Sequence, residues 1–172
     1  MVLNWQMVGA MVLPNIGGWA GALSMIGEVT SADGNAWYER LRKPTWTPPN
    51  WVFGPTWVIL YTAMGYASYL IYEDCGGFTD EAVIPLGLYG VQLLLNWFWT
   101  PVFFKLHQMG WAFLQMCILD GVTMACIASF FDINKMAAAY MVPYLGWLAF
   151  ASCLNYSFWM MNREDIEKMP LK

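Results

Sequence analysis

Five long apolar runs dominate this chain of 172 residues. They cover 7–26, 52–72, 83–104, 111–131 and 137–161. Each is long enough for a helix to cross the hydrocarbon core of a bilayer, which takes about 20 residues. A helix in lipid satisfies its own backbone polar groups, whereas a closed barrel would need short strands of alternating polarity that are not visible here. The runs therefore predict an all-α membrane protein. It is a bundle of five transmembrane helices with a long ordered first loop, forming a single domain over 1–172, of which 162–172 is a short polar C-terminal tail.

Composition agrees. Apolar residues make up 59% and charged residues 12%, with a mean hydropathy of +0.43. Soluble domains carry about 25% charged residues, so this chain has too few charges to coat a globule in water. The net charge of −4 is small, and no nucleic-acid partner is expected. Cys75, Cys117, Cys126 and Cys153 are scattered without a Cys-x-x-Cys pair, and His107 is the only histidine. No disulfide framework, metal site or cofactor is expected. The N-terminus lacks a basic n-region, so no cleavable signal is expected either.

The gaps between runs are short except the first, so consecutive helices should be neighbours. No internal repeat of the kind that builds many transporters is present. Five spans place the first gap (Arg40, Arg42, Lys43), the third gap (Lys105) and the tail (Arg163, Lys168, Lys172) on one side, leaving only Lys135 on the other. The positive-inside rule then puts the first loop and the C-terminus in the cytosol.

The first gap contains WYERLRKPTWTPPNW, Trp37 to Trp51. Tryptophan beside Arg and Lys is what a membrane surface selects, because the ring is apolar and its N–H wants water. Pro44, Pro48 and Pro49 stiffen the segment, and a long ordered loop is often a lid. Trp46 and Trp51, followed by Trp57 inside the second run, bring aromatic rings from the surface down into the bundle. That arrangement suits a pocket for a large flat apolar ligand.

The residues KPTWTPPNWVFGPTWVILYTAMGY resemble the signature of the translocator protein family, also called tryptophan-rich sensory proteins or peripheral-type benzodiazepine receptors. PLGLYGVQLLLNWFWTPVFF, with Leu93, Asn96 and Trp99, resembles the family's third helix; QMGWAF and PYLGWLAFASCLNYSFW resemble parts of the fourth and fifth. The match spans about residues 30–160, with the first run matched more loosely. The resemblance implies a ligand pocket at the cytosolic end, among the first, second and fifth helices, under the first loop. It implies cholesterol or another sterol, porphyrins and synthetic isoquinoline or benzodiazepine compounds as ligands, within membrane lipid. It also implies a receptor or carrier role in sterol or tetrapyrrole transport, and a place in the mitochondrial outer membrane.

Carried over by motif, the ligand-binding residues are Trp46, Trp51, Phe53, Trp57, Tyr61, Asn96, Trp111, Ile118, Pro143, Trp147, Ala151 and Leu154. Pro143, Trp147, Ala151 and Leu154 also fall at helical spacing on one face. Asn96 is costly in lipid unless hydrogen-bonded, so it should face inward. The family's sterol motif is present as Leu154 and Tyr156, but its basic member, Arg163, falls one residue beyond the pattern's reach, which weakens cholesterol binding there. The family's close-packing Gly-x-x-x-Gly on the third helix is also changed: Gly87 and Gly90 are followed by Val91, which leaves a homodimer open. Gly17 and Gly21 on the first helix have that spacing and suit packing within the bundle. Asp120 is an intramembrane carboxylate with no partner evident from sequence. Nothing marks a conventional acid, base or nucleophile, so a binding protein is favoured; the alternative is an enzyme that degrades porphyrin in light.

Overall fold

Asn4 starts the first helix: its side-chain oxygen accepts from the backbone N–H groups of Gln6 (3.0 Å) and Met7 (3.4 Å). The structure is a computed structural model describing residues 4–29 and 36–167, with side chains to Arg163. Six helices appear among the described residues: α1 (Trp5–Ser24), α2 (Trp37–Arg40), α3 (Asn50–Asp74), α4 (Asp80–Phe104), α5 (Met109–Ile133) and α6 (Lys135–Glu167). No strand occurs among the described residues. Five helices are long, and each overlaps one apolar run. The short α2 lies in the first loop.

By length and composition, three of the described helices can cross a membrane: α4, α5, and α6 over Lys135–Arg163. α1 and α3 are long enough, at 20 and 25 residues. They are less apolar because Gln6 and Asn15 dilute α1, and Tyr61, Tyr66, Tyr69 and Tyr72 carry hydroxyls along α3. The last helix runs to Glu167, into the stretch expected as a tail. Lys168 and Lys172, counted in the charge asymmetry, lie outside the described residues.

The turns follow local chemistry. Gly76 and Gly77 take positive φ between α3 and α4. The Asn134 side chain accepts from Met136 N (2.8 Å) and Ala137 N (2.9 Å), starting α6. Its amide donates to Asp74 Oδ2 (2.5 Å), tying that turn to the end of α3.

The helices form a closed ring in the order α1, α3, α6, α5, α4, with α4 returning to α1. α1 and α3 approach closely, backbone to backbone. Pro14 lacks the N–H that would bond the Ala10 carbonyl. That carbonyl lies against Gly65, where a Cβ would overlap it. Gly17 and Gly21 do serve packing within the bundle: a Cβ on Gly17 would overlap the Trp97 ring of α4, and one on Gly21 would come within 3.2 Å of Thr100. Gly87 and Val91 are exposed on the outer side of α4.

Two apolar clusters fill the ring. One runs along the α3–α6 core and includes Met64, Ile71, Leu119, Phe130, Met141 and Leu148. The other, Trp37, Tyr38, Phe103, Phe104, Met109, Leu154 and Phe158, joins the first loop to the ends of α4, α5 and α6. Between them lies a cavity.

Candidate functional site

The cavity holds about 440 Å³ and has no charged side chain on its wall. α3 contributes Phe53, Trp57 and Tyr61; α6 contributes Trp147, Ala151 and Leu154; α4 contributes Asn96. These seven were expected from sequence, and the fold brings them together. The indole of Trp57 meets that of Trp147 edge-on (6.4 Å between centroids, 88°), and Phe53 packs on Trp147 at 5.8 Å. Edge-to-face packing of this kind fixes the rings and leaves a rigid apolar wall.

Beneath the rings runs a buried polar chain. Tyr61 donates to Asn96 Oδ1 (2.5 Å), Asn96 Nδ2 donates to the Tyr144 hydroxyl (2.9 Å), and Tyr144 donates to Gln92 Oε1 (2.8 Å). Asn96 thus faces inward and joins three helices, while still lining the cavity. A buried amide without such partners would cost several kcal/mol; here its cost is offset by the chain. Asp120 finds Ser152, whose hydroxyl donates to Oδ2 at 2.7 Å. That pair joins α5 to α6 away from the cavity wall.

Five expected residues sit elsewhere. Trp51 is 75% exposed at the start of α3. Trp111 and Ile118 are 67% and 50% exposed. They lie about 100° per residue away from the inward α5 face of Ala112, Met116 and Leu119, and only Met116 of α5 reaches the cavity. Pro143 is exposed one turn deeper than Trp147, where Tyr144 fills the interior. Trp46 packs on Phe150 (5.7 Å), which in turn packs on Trp147 (5.3 Å), so it braces the wall from behind. The sterol motif is split. Leu154 is buried on the wall, while Tyr156 lies outside against Phe113 (5.2 Å), and Arg163 is exposed near the helix end. Two residues apart on a helix means opposite sides, so the three do not share one surface.

Sequence reasoning missed most of the wall. α1 contributes Asn15, Gly17, Gly18, Trp19 and Ala22. α4 adds Trp97, Trp99 and Thr100, and Trp99 donates its indole N–H to Asn155 Oδ1 (3.0 Å). The Gly17–Gly18 pair was the available signal: a Cβ on Gly18 would overlap the Tyr61 ring.

The first loop closes the end. Tyr38 is buried against Phe104 (5.7 Å) and Phe158 (5.5 Å), with Lys43 Nζ 3.9 Å over its ring. Burial pushes the Tyr38 hydroxyl up to about 12 and lowers the Lys43 ammonium, the latter partly countered by Glu39. Asn162 fastens the loop from α6, accepting from Arg42 N and donating to Arg42 O, both at 2.9 Å. At the other edge Glu28 meets His107 Nε2 (3.2 Å) and Lys105 Nζ (3.5 Å), and Trp37 stacks on the His107 ring at 4.1 Å. No group of His, Cys, Asp and Glu that could hold a metal occurs among the described residues.

A profile of the TspO/MBR family matches residues 10–160. The translocator protein of Bos taurus is 46% identical over 156 residues, 91% of this chain and 89% of the relative. That of Homo sapiens is 45% identical over 155 residues, 90% and 89%. Protein CrtK of Rhodobacter capsulatus is 35% identical over 127 residues, 74% and 79%.

Proposed function

Since the chain belongs to the TspO/MBR family, we propose that it is a membrane receptor or carrier for flat lipophilic molecules, with sterols and porphyrins as the ligand classes. Synthetic benzodiazepine- and isoquinoline-type compounds would compete for the same cavity. In this reading all five long helices span the mitochondrial outer membrane, with the first loop and C-terminus in the cytosol. The observation that carries it is the wall: about 440 Å³, uncharged, and faced by Trp57, Trp97, Trp99 and Trp147. That volume is in the range of small-molecule sites, which are mostly apolar with a few orienting polar groups. Burying a rigid ring system against indoles contributes about 25 cal/mol per Å² of apolar area. Asn96 and Tyr61 provide the polar edge. A porphyrin would keep its carboxylates outside this uncharged wall.

The indoles also favour one second reading, light-driven breakdown of bound porphyrin. One experiment addresses both. Tryptophan fluorescence of the purified protein is titrated in the dark with protoporphyrin IX, then with a cholesterol analogue. Saturable quenching is expected, with affinity weakened about tenfold in Trp147→Phe, as for loss of one anchoring ring. No saturable response to either ligand would sink the proposal. Loss of porphyrin absorbance in light, abolished by Trp147→Phe, would make the protein an enzyme.

A further inference from the structure

We propose that the cavity fills sideways from the lipid phase, through a port between α1 and α3, so that its ligand is a bilayer-dissolved molecule rather than one taken from water under the loop. This rests on the cavity being a ligand site and on α1 and α3 being membrane spans. The cavity wall is uneven. Its α4 and α6 sides are buried, as at Asn96, Phe103, Leu154 and Phe158. On the α1–α3 side, Trp19 is 55% exposed and Val58 44%, and Ala22 and Gly54 are exposed as well. A residue that both lines a cavity and faces outward marks an opening.

The seam between these antiparallel helices is fastened over one half only. Asn4 Nδ2 donates to the Tyr69 hydroxyl (2.6 Å), Gln6 Nε2 to the Tyr72 hydroxyl (3.2 Å) and Asn15 Nδ2 to Thr62 Oγ1 (3.2 Å). Gly65 is pressed on the Ala10 carbonyl between them. Continuing that register sets Trp19 beside Val58 and Ala22 beside Gly54. There, among the described residues, no side-chain hydrogen bond joins the two helices. Small residues leave the gap unfilled, and a Cβ on Gly54 would meet nothing within 4 Å. Ile16, Leu23 and Ile59, around the opening, are exposed and apolar. Their surroundings in a membrane are acyl chains, so a lipophile crossing there never enters water. The route under the loop is costlier, because it must break the Tyr38 packing and both Asn162–Arg42 bonds.

The test is stopped-flow fluorescence of the full chain in lipid nanodiscs, with protoporphyrin IX in the dark. Gly54→Leu and Ala22→Leu fill the port from its two sides, which guards against one variant failing to fold. Each is expected to slow both association and dissociation, about tenfold. Slowed dissociation is the signature, because damage to the cavity would speed it. Asn162→Ala, which frees the loop from α6, is expected to leave both rates as in the native protein. Unchanged or faster dissociation in both leucine variants, or faster exchange in Asn162→Ala, overturns the port while leaving the cavity a ligand site. No saturable signal from the native protein removes the cavity reading itself.

Discussion

Gly65 sets the distance between two helices. Any Cβ there meets backbone, the Ala10 carbonyl oxygen and Met11 Cα, neither of which can rotate away. Gly65→Leu should therefore push α1 off α3 and destabilise the bundle by roughly 2–3 kcal/mol, the scale of an overpacked interface. Thermal unfolding in detergent, against a control at Gly54 where a Cβ has open space, measures it; equal midpoints for Gly65→Leu and native protein would refute the close approach. Residues of this kind were hard to read from sequence. Trp57, Trp147 and Asn96 announced themselves by chemistry, since a large ring or an amide inside lipid asks for a reason. Gly65 and Gly18 act by what they lack, and the partner each admits, Ala10 or Tyr61, lies on another helix. Trp111 shows the opposite failure. Its ring is conspicuous, yet one residue of register, about 100° on a helix, turns it outward while Ala112 faces in.

Among elements, the first loop joins sequence to cavity most directly. Its prolines and rings predicted stiffness, and the roof that results rests on Tyr38, a residue that nothing in the segment's composition singled out. Burial raises its hydroxyl from 10.0 to about 12. With the phenol exposed, ionisation begins near the ordinary value. Between pH 10.0 and about 12 the detached loop therefore loses a proton that the docked loop keeps. The contribution is complete below that window and is lost as pH rises through it. Native protein should lose stability across this interval more steeply than Tyr38→Phe, measured by unfolding midpoints at each pH; parallel curves would show that Tyr38 does not hold the loop. Most helix ends were legible to within a few residues from where the apolar runs begin and stop, whereas the caps at Asn4 and Asn134 appear only in the structure. The reach of α6 to Glu167 was not legible, since polar residues extend a helix into water as readily as they end one.

For the whole molecule, the five-span reading makes a topological prediction. Glu39→Cys in the first loop and Thr79→Cys before α4, both exposed, should react with a membrane-impermeant maleimide from opposite sides of sealed vesicles, with Cys117 and Cys153 replaced by alanine. Labelling from the same side would remove α3 from the set of spans. The five long helices were legible from the lengths of the apolar runs, although the short α2 was not expected and, among the described residues, only α4, α5 and α6 are long and apolar enough to cross a membrane. The arrangement of the five was not legible, because lipid-facing and core-facing surfaces are equally apolar and leave little periodicity to read. The ring order has a further consequence. α3 and α6 are neighbours, though α4 and α5 lie between them in the chain. On the ribosome, α1 and α3 can pair as soon as both have emerged, and α4 and α5 can follow. Until α6 is translated, Trp147 is missing from the indole wall and the ring is not closed. A nascent chain stalled before Lys135 would thus be a four-helix arc without a closed cavity. On the function proposed above, ligand would stabilise the finished protein against membrane quality control, but not its incomplete precursors.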